Sequence, residues 1–378
     1  MKRITNLFLL LLFLTALVVS CAQQTSDKPA PLPLQHRIDS LFSTVPDFSG
    51  VVLIADQGIP IYHKAHGYRN FETKTPLDTA DIFELASVSK QFTAMVIMML
   101  RQEGKLSYDD PLEKYIPGLP YAGIHIRHLL THTSGLPDYQ SIMDQYWDKS
   151  KAASNEDILD YLKKYHPPSL FAPGEKYTYS NTGYVLLASI AEQVSGKDFI
   201  EFCRERIFLP VQMKDTDIRS LEEKKAIKNF ALGHIYVPEK HRYIRADSFP
   251  SSNYISWLGK RKGPGRISAT ASDLLRWDRA LYTEQLLSKA NLLEAFTPYR
   301  LTNNSLSYYG FGWILEKGSA EGKIVWHNGD NPGYKTIIVR FIEQDKTLIL
   351  LCNNAYSKFD DITETLKIWL SKNQHQGI

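Results

Sequence analysis

Apolar positions change their spacing several times along this 378-residue chain. Residues 34–45 carry helical spacing. Residues 48–55 and 59–68 read as short strands, joined by a turn at Asp56-Gln57-Gly58. A strong helical pattern follows over about 87–102, with Gly104 as its stop. From there to about residue 250 helical pattern and loop dominate, with helices expected over 155–165, 182–194 and 198–207. Another amphipathic helix is expected over 270–281, capped by Thr270 or Ser272. Strands return at 310–316, 323–327, 334–342 and 347–353, and 361–370 reads as a closing helix. Strands at both ends with helices between predict an α+β fold. An antiparallel sheet would form from both chain ends, flanked by helices, with a mostly helical second lobe inserted over roughly 81–260.

The first residues follow a different pattern. Lys2 and Arg3 precede an apolar run over 7–19, broken only by Thr15. The run is too short for a convincing membrane span and reads as a signal peptide over 1–20. Val18-Val19-Ser20-Cys21 resembles the bacterial lipobox, which implies acylation of Cys21 and a membrane-anchored exported lipoprotein, in the periplasm or at the cell surface. The plainer alternative is a secretory signal with an incidental cysteine. Residues 21–33, rich in Gln, Ser, Lys and Pro, read as a tether.

Composition changes little in this picture. Hydrophobic residues make up 43% and charged residues 22%, as in ordinary globular proteins. The formal net charge is +3, and two of the positive residues lie in the leader. No nucleic-acid footprint is present in that balance. Cys203 and Cys352 fall in apolar patterns and read as buried free thiols.

Three short elements carry candidate chemistry. Ser87-Val88-Ser89-Lys90 places Ser87 and Lys90 at i and i+3, on one face of a helix start. Ser89 points about 200° away on the 3.6-residue period. A serine hydroxyl needs a nearby base, and a desolvated lysine has the lowered pKa to act as one. Tyr179-Ser180-Asn181 follows a Pro173-Gly174 turn and precedes an apolar helix, so it presents Tyr and Asn from a loop. Tyr177 is a second candidate for the tyrosine role. His327-Asn328-Gly329 ends an apolar strand, where Gly329 would allow close backbone approach; a plain Asn-Gly turn between strands is the bland reading.

The order S-x-x-K, Y-x-N, H-x-G resembles the serine β-lactamase and penicillin-recognising D,D-peptidase superfamily. It is most similar to class C β-lactamases, D-alanyl-D-alanine carboxypeptidases with a histidine in the third motif, and related esterases. The resemblance extends to Ile126-Arg127-His128-Leu129-Leu130-Thr131-His132-Thr133-Ser134-Gly135-Leu136, Tyr309-Gly310-Phe311-Gly312-Trp313 and Asn331-Pro332-Gly333-Tyr334. It implies a β-lactamase/transpeptidase-like fold and an acyl-enzyme on Ser87, with Lys90 and Tyr179 sharing the proton traffic. It implies that Asn181 orients Lys90 and binds a substrate amide. His327 would hold the Tyr179 hydroxyl or a substrate carboxylate. The oxyanion hole would use the N–H groups of Ser87 and Asp330, the residue after Gly329. The implied substrate is an amide or ester, such as a D-amino-acid peptide, a peptidoglycan fragment or a small ester. Alternatives are a true β-lactamase, or a surface lipoprotein that binds cell-wall or peptide ligands without turnover. The histidine, only partly charged near neutrality, departs from the lysine of the usual third motif and weakens the β-lactamase reading.

No metal or organic cofactor is implied. His125, His128 and His132 have i, i+3, i+7 spacing, but no carboxylate completes a metal site and the resemblance makes His132 a structural hydrogen-bonder. Lys260-Arg261-Lys262 reads as a solvated basic run. The segments 138–151 and 232–265 are the loops expected to shape the cleft.

Overall fold

The computed structural model describes residues 32–318 and 322–372. The signal peptide and Cys21 lie outside the described residues, as does most of the tether. The chain divides into two compact units, Met1–Ser40 and Leu41–Ile378. The helix Leu34–Ser43 runs across that boundary, and the description below concerns Leu41–Ile378.

The main sheet has six antiparallel strands. We label those that frame the site β1 (Gly50–Asp56), β2 (Ile59–His66), β3 (Phe83–Glu84), β4 (Asp217–Ile218), β5 (Ile267–Ala269), β6 (Ile314–Leu315), β7 (Ile324–Asn331), β8 (Tyr334–Phe341) and β9 (Lys346–Cys352). The order across the main sheet is β6-β7-β8-β9-β1-β2. The first strand pairs with the last, Gly50 opposite Cys352 and Asp56 opposite Lys346. The central strands β1 and β9 are buried almost throughout. A strand covered on both faces reads as a continuous apolar run, which is what Val51 to Ala55 and Leu348 to Leu351 show. A second, three-stranded sheet orders β3-β5-β4 beside it.

The helices used below are α1 (Lys90–Gln102), α2 (Ile126–Leu130), α3 (Asn181–Ser195), α4 (Ala271–Ala280) and α5 (Phe359–Lys372). Helix α1 is buried on every face from Lys90 to Leu100, as a helix at the centre of a large core must be. Gly104, with φ +71°, closes its C-terminal end. Helix α4 packs against β1 and β9 and is capped by Thr270, whose hydroxyl accepts the Asp273 N–H at 3.1 Å. The buried Arg340 of β8 pairs with the buried Asp278 of α4 at 2.6 Å and ties helix to sheet.

Several expected elements differ in extent. The strand expected over 310–316 shrinks to β6. Gly310 lies so close to the Ala295 carbonyl that a Cβ there would sit 1.9 Å from it, and Gly312 has φ +77° against Gln91. This stretch serves close packing on α1 rather than a ladder. The strand expected to end at His327 continues through Gly329 to Asn331, and the turn falls at Pro332-Gly333. The helix expected over 198–207 is split into Phe199–Cys203 and a π-helical turn, Arg204–Phe208. Of the segment 138–151, residues Tyr139–Tyr146 form a helix capped by Asp138.

Candidate active site

Ser87 sits in a 3₁₀ turn, Ala86–Ser89, that leads into α1. The expected helix start is therefore a tighter turn. Ala86 has φ +47°, a left-handed conformation that costs a non-glycine residue about 1–3 kcal/mol. From Asp81 to Leu100 every residue is buried except Ser87. The local fold thus spends strain and burial on exposing one hydroxyl. Ser89 is buried instead, and its Oγ accepts the Ile267 N–H at 3.1 Å. It is a fastener between the turn and β5.

Lys90 is completely buried. Its Nζ lies 3.0 Å from Ser87 Oγ, 2.9 Å from Asn181 Oδ1 and 2.9 Å from the Pro264 carbonyl. Burial pushes the ammonium well below the usual lysine range; the Arg261 charge pushes the same way and Asp138 opposes. A neutral amine has two protons and one lone pair. In that form Asn181 and Pro264, which offer only acceptors here, would take both protons and the lone pair would face the Ser87 hydroxyl. Asn181 is held at the first turn of α3, where Ser180 caps the helix by accepting the Gly183 N–H at 3.2 Å.

The face of Tyr179 lies 4.7 Å from Lys90 Nζ. Burial raises the phenol's pKa, and the Ser87 side chain beside it only partly offsets this. The residue as a whole is 38% exposed. Both Tyr177 and Tyr179 pack near His132 and Tyr309, but the described contacts with Lys90 and Ser87 belong to Tyr179. Its loop is fastened by His132, which sequence reasoning treated as structural. The His132 Nδ1 accepts the Ser180 N–H at 3.0 Å, and the His132 carbonyl accepts the Thr178 N–H at 2.9 Å. His125 and His128 likewise serve nearby backbone groups.

His327 is enclosed within the site. It is 1% exposed, and burial above all pushes its pKa down to about 3. Its Nδ1 lies 2.6 Å from the Asn328 carbonyl, which only accepts, so the proton is on Nδ1. Nε2 is then an acceptor, and the Tyr309 hydroxyl donates to it at 2.9 Å. The neutral imidazole is engaged by Tyr309 rather than by Tyr179.

Gly329 brings β7 onto the nucleophile turn. A Cβ there would lie 2.2 Å from the Leu85 carbonyl and 3.0 Å from Ala86 Cβ. The Glu316 N–H bonds the Ile324 carbonyl at 2.9 Å, so even-numbered residues of β7 turn their backbone polar groups away from β8. Asp330 belongs to that set, and its N–H faces the edge that carries Ser87. Its side chain is a separate matter: it lies beside Lys335 and Asp360, and burial raises its pKa.

Sequence reasoning missed the Pro264 carbonyl, Tyr309 and Arg261. Tyr309 stood in a noted motif without a role. Arg261 was taken for solvated loop, yet its Nη1 donates to the buried Tyr139 hydroxyl at 2.5 Å, and neighbouring Lys262 pairs with Asp198 at 2.6 Å and with Glu192.

A half-buried serine backed by a buried lysine and a tyrosine, between a helical region and an antiparallel sheet, defines the class of serine hydrolases related to β-lactamases. Residues 38–371 match the family model described as Beta-lactamase, and the chain belongs to that family. It is 43% identical over 324 residues to Penicillin-binding protein 4* of Bacillus subtilis, covering 84% of this chain and 72% of that one. It is 26% identical to a D-aminopeptidase of Brucella anthropi, covering 76% of this chain and 52% of that one. Among solved structures, the octameric penicillin-binding protein homologue from Pyrococcus abyssi superposes with a TM-score of 0.76 at 27% identity, covering 89% of this chain and 78% of that one.

Proposed function

We propose that the chain hydrolyses an amide or ester of D-amino-acid type through an acyl-enzyme on Ser87. The observation that carries this reading is the environment of Lys90: fully buried, with its Nζ 3.0 Å from Ser87 Oγ, 2.9 Å from Asn181 Oδ1 and 2.9 Å from the Pro264 carbonyl. Lys90 takes the hydroxyl proton as Ser87 Oγ attacks the substrate carbonyl. The N–H groups of Ser87 and Asp330 hold the oxyanion, one such donor being worth roughly 3–4 kcal/mol in the transition state. Tyr179, a protonated phenol with raised pKa, passes a proton to the leaving group, and water then releases the acyl chain. The neutral His327 supports uncharged ends on the leaving side, as in an amide or ester, over a β-lactam or peptide carboxylate held there. The similarity to a D-aminopeptidase supports the same direction. Acylated Cys21 would hold the enzyme on a membrane surface, and Cys21→Ser would release it into the soluble fraction; unchanged membrane association would refute the anchor.

Fluorophosphonate and a fluorescent penicillin, applied to wild type and Ser87→Ala, test the nucleophile. The expected result is fluorophosphonate labelling of wild type alone. An unlabelled wild type, or equal labelling of Ser87→Ala, overturns the assignment. Strong penicillin labelling with turnover would favour the β-lactamase alternative.

A further inference from the structure

A second pocket opens where β7 leaves the nucleophile turn. It is small, a cavity of about 40 Å³, and its wall includes Glu84, Lys224, Tyr254, Arg261, Arg266 and Asn331. It shares its frame with the candidate active site. Glu84 precedes Ser87 by three residues and Asn331 follows Gly329 by two. A Cβ on Gly265 would meet Arg261 Nη2 at 3.4 Å and the Ala86 carbonyl at 3.7 Å, so the guanidinium lies one backbone away from the nucleophile turn.

The wall holds more positive charge than it balances. Lys224 pairs with Glu84 at 2.5 Å, both nearly fully buried. Asn331 donates to the other Glu84 oxygen. Burial opposes ionisation of Glu84, but Lys224, Arg266 and Arg261 together outweigh it and keep the carboxyl ionised. Asp247 is taken by Arg245 at 2.5 Å and Lys225 at 2.9 Å. Arg266, only 8% exposed, donates to the Arg261 and Arg219 carbonyls. Burial, then the Arg261 charge, pushes its pKa down to about 10. Arg261 has no carboxylate partner among the described ion pairs, and its buried Nε has no hydrogen-bond acceptor. Its one described guanidinium bond goes to the Tyr139 hydroxyl. Three cations therefore share one carboxylate, and a buried donor is left unmet. Uncompensated charge at such depth is costly unless something else completes it.

We propose that this pocket is a subsite for a carboxylate on the acyl-donor part of the substrate, received by Arg261. The proposal rests on the acyl-enzyme reading above. The substrate class is an acyl donor whose side chain or N-substituent ends in a carboxylate. Tyr254 and Asn331, linked at 3.3 Å, border the approach from the strand that carries Asp330.

The test uses D-alanyl thioesters capped on nitrogen with a glutaryl group or its uncharged glutaramoyl counterpart, turned over by the full chain. Wild type is expected to prefer the glutaryl cap in kcat/KM by about tenfold or more, the range of a hydrogen bond to a charged group. The ratio should collapse to within about twofold in Arg261→Gln and stay partly intact in Arg261→Lys. Equal kcat/KM for both caps in wild type overturns the subsite. Fluorophosphonate labelling separates the two ideas: a labelled wild type without cap preference fails the subsite alone, and an unlabelled one fails the acyl-enzyme reading. Should Arg261→Gln not fold, wild type alone decides. Glutarate is expected to inhibit turnover of the uncharged substrate competitively, and glutaramide is not. Equal inhibition by both, or by neither, overturns the proposal.

Discussion

Gly329→Ala is the substitution that most directly tests how β7 serves the nucleophile. The added methyl would stand 2.2 Å from the Leu85 carbonyl and 2.4 Å from Thr336 Oγ1, where ordinary contact begins at 3.4 Å. Neither neighbour is free to yield. Thr336 Oγ1 donates to the Leu85 carbonyl at 2.8 Å, and the Leu85 N–H is held by the Ile267 carbonyl at 2.8 Å. The strand must withdraw by about 1.2 Å to restore contact distance. A misplacement of about 1 Å at a reacting centre costs roughly 10²-fold in rate, and loss of one oxyanion donor costs roughly 10²–10³-fold. The acylation rate is therefore expected to fall about 10²-fold. Overpacking should cost about 1–3 kcal/mol of stability and leave the chain folded. The assay is the pseudo-first-order rate of fluorophosphonate labelling, with thermal unfolding measured in parallel. A folded Gly329→Ala that labels within twofold of the wild-type rate would refute the close-approach argument and the role of the Asp330 N–H.

Three other outcomes are expected. Folded His327 titrates near 3 and the unfolded imidazole near 6.5, so the unfolded chain takes up the proton first; stability is full above pH 6.5 and declines as pH falls toward 3. His128, pushed down to about 4 mainly by burial, adds to the slope. Tm measured from pH 7 to pH 4 should fall less steeply in His327→Gln, and an unchanged slope would count against the buried neutral imidazole. Tyr309→Phe removes the only described donor to His327 Nε2; leaving that buried acceptor unmet should cost about 1–3 kcal/mol, read as a lower denaturation midpoint. Ser89→Ala should lose about 1 kcal/mol by freeing the Ile267 N–H and should still label with fluorophosphonate; loss of labelling in a folded variant would return Ser89 to consideration.

The sequence disclosed what local rules govern. The run Val51 to Ala55, the spacing of Ser87 and Lys90, and the Pro173-Gly174 turn before Tyr179 are all short-range signals. The α+β sheet formed from both ends could be expected because apolar strand patterns stand at both ends with helical patterns between them. What escaped depends on contacts between distant segments. The Pro264 carbonyl has no side chain to advertise it, yet it takes one proton of Lys90 across 174 residues of chain. The strand continues past His327 because Gly329 and Asp330 find partners in Thr336 and Lys335, whereas Asn-Gly alone favours a turn. Strands β3, β4 and β5 are two or three residues long, below the reach of any periodicity. Arg261 looked solvated between two other basic residues, and only the packing of its loop against Tyr139 and Gly265 places it inside.

The pairing of the first strand with the last has a temporal consequence. β1 is synthesised about 300 residues ahead of its neighbour β9. Until β9 arrives, β8 lacks a partner on one edge, and β6, β7 and β8 are not joined to β1 and β2. Loop closure over some 300 residues makes this a slow, late step. The complete sheet is thus assembled only once β9 is in place, and a molecule truncated before residue 346 carries the serine–lysine motif without that sheet behind it.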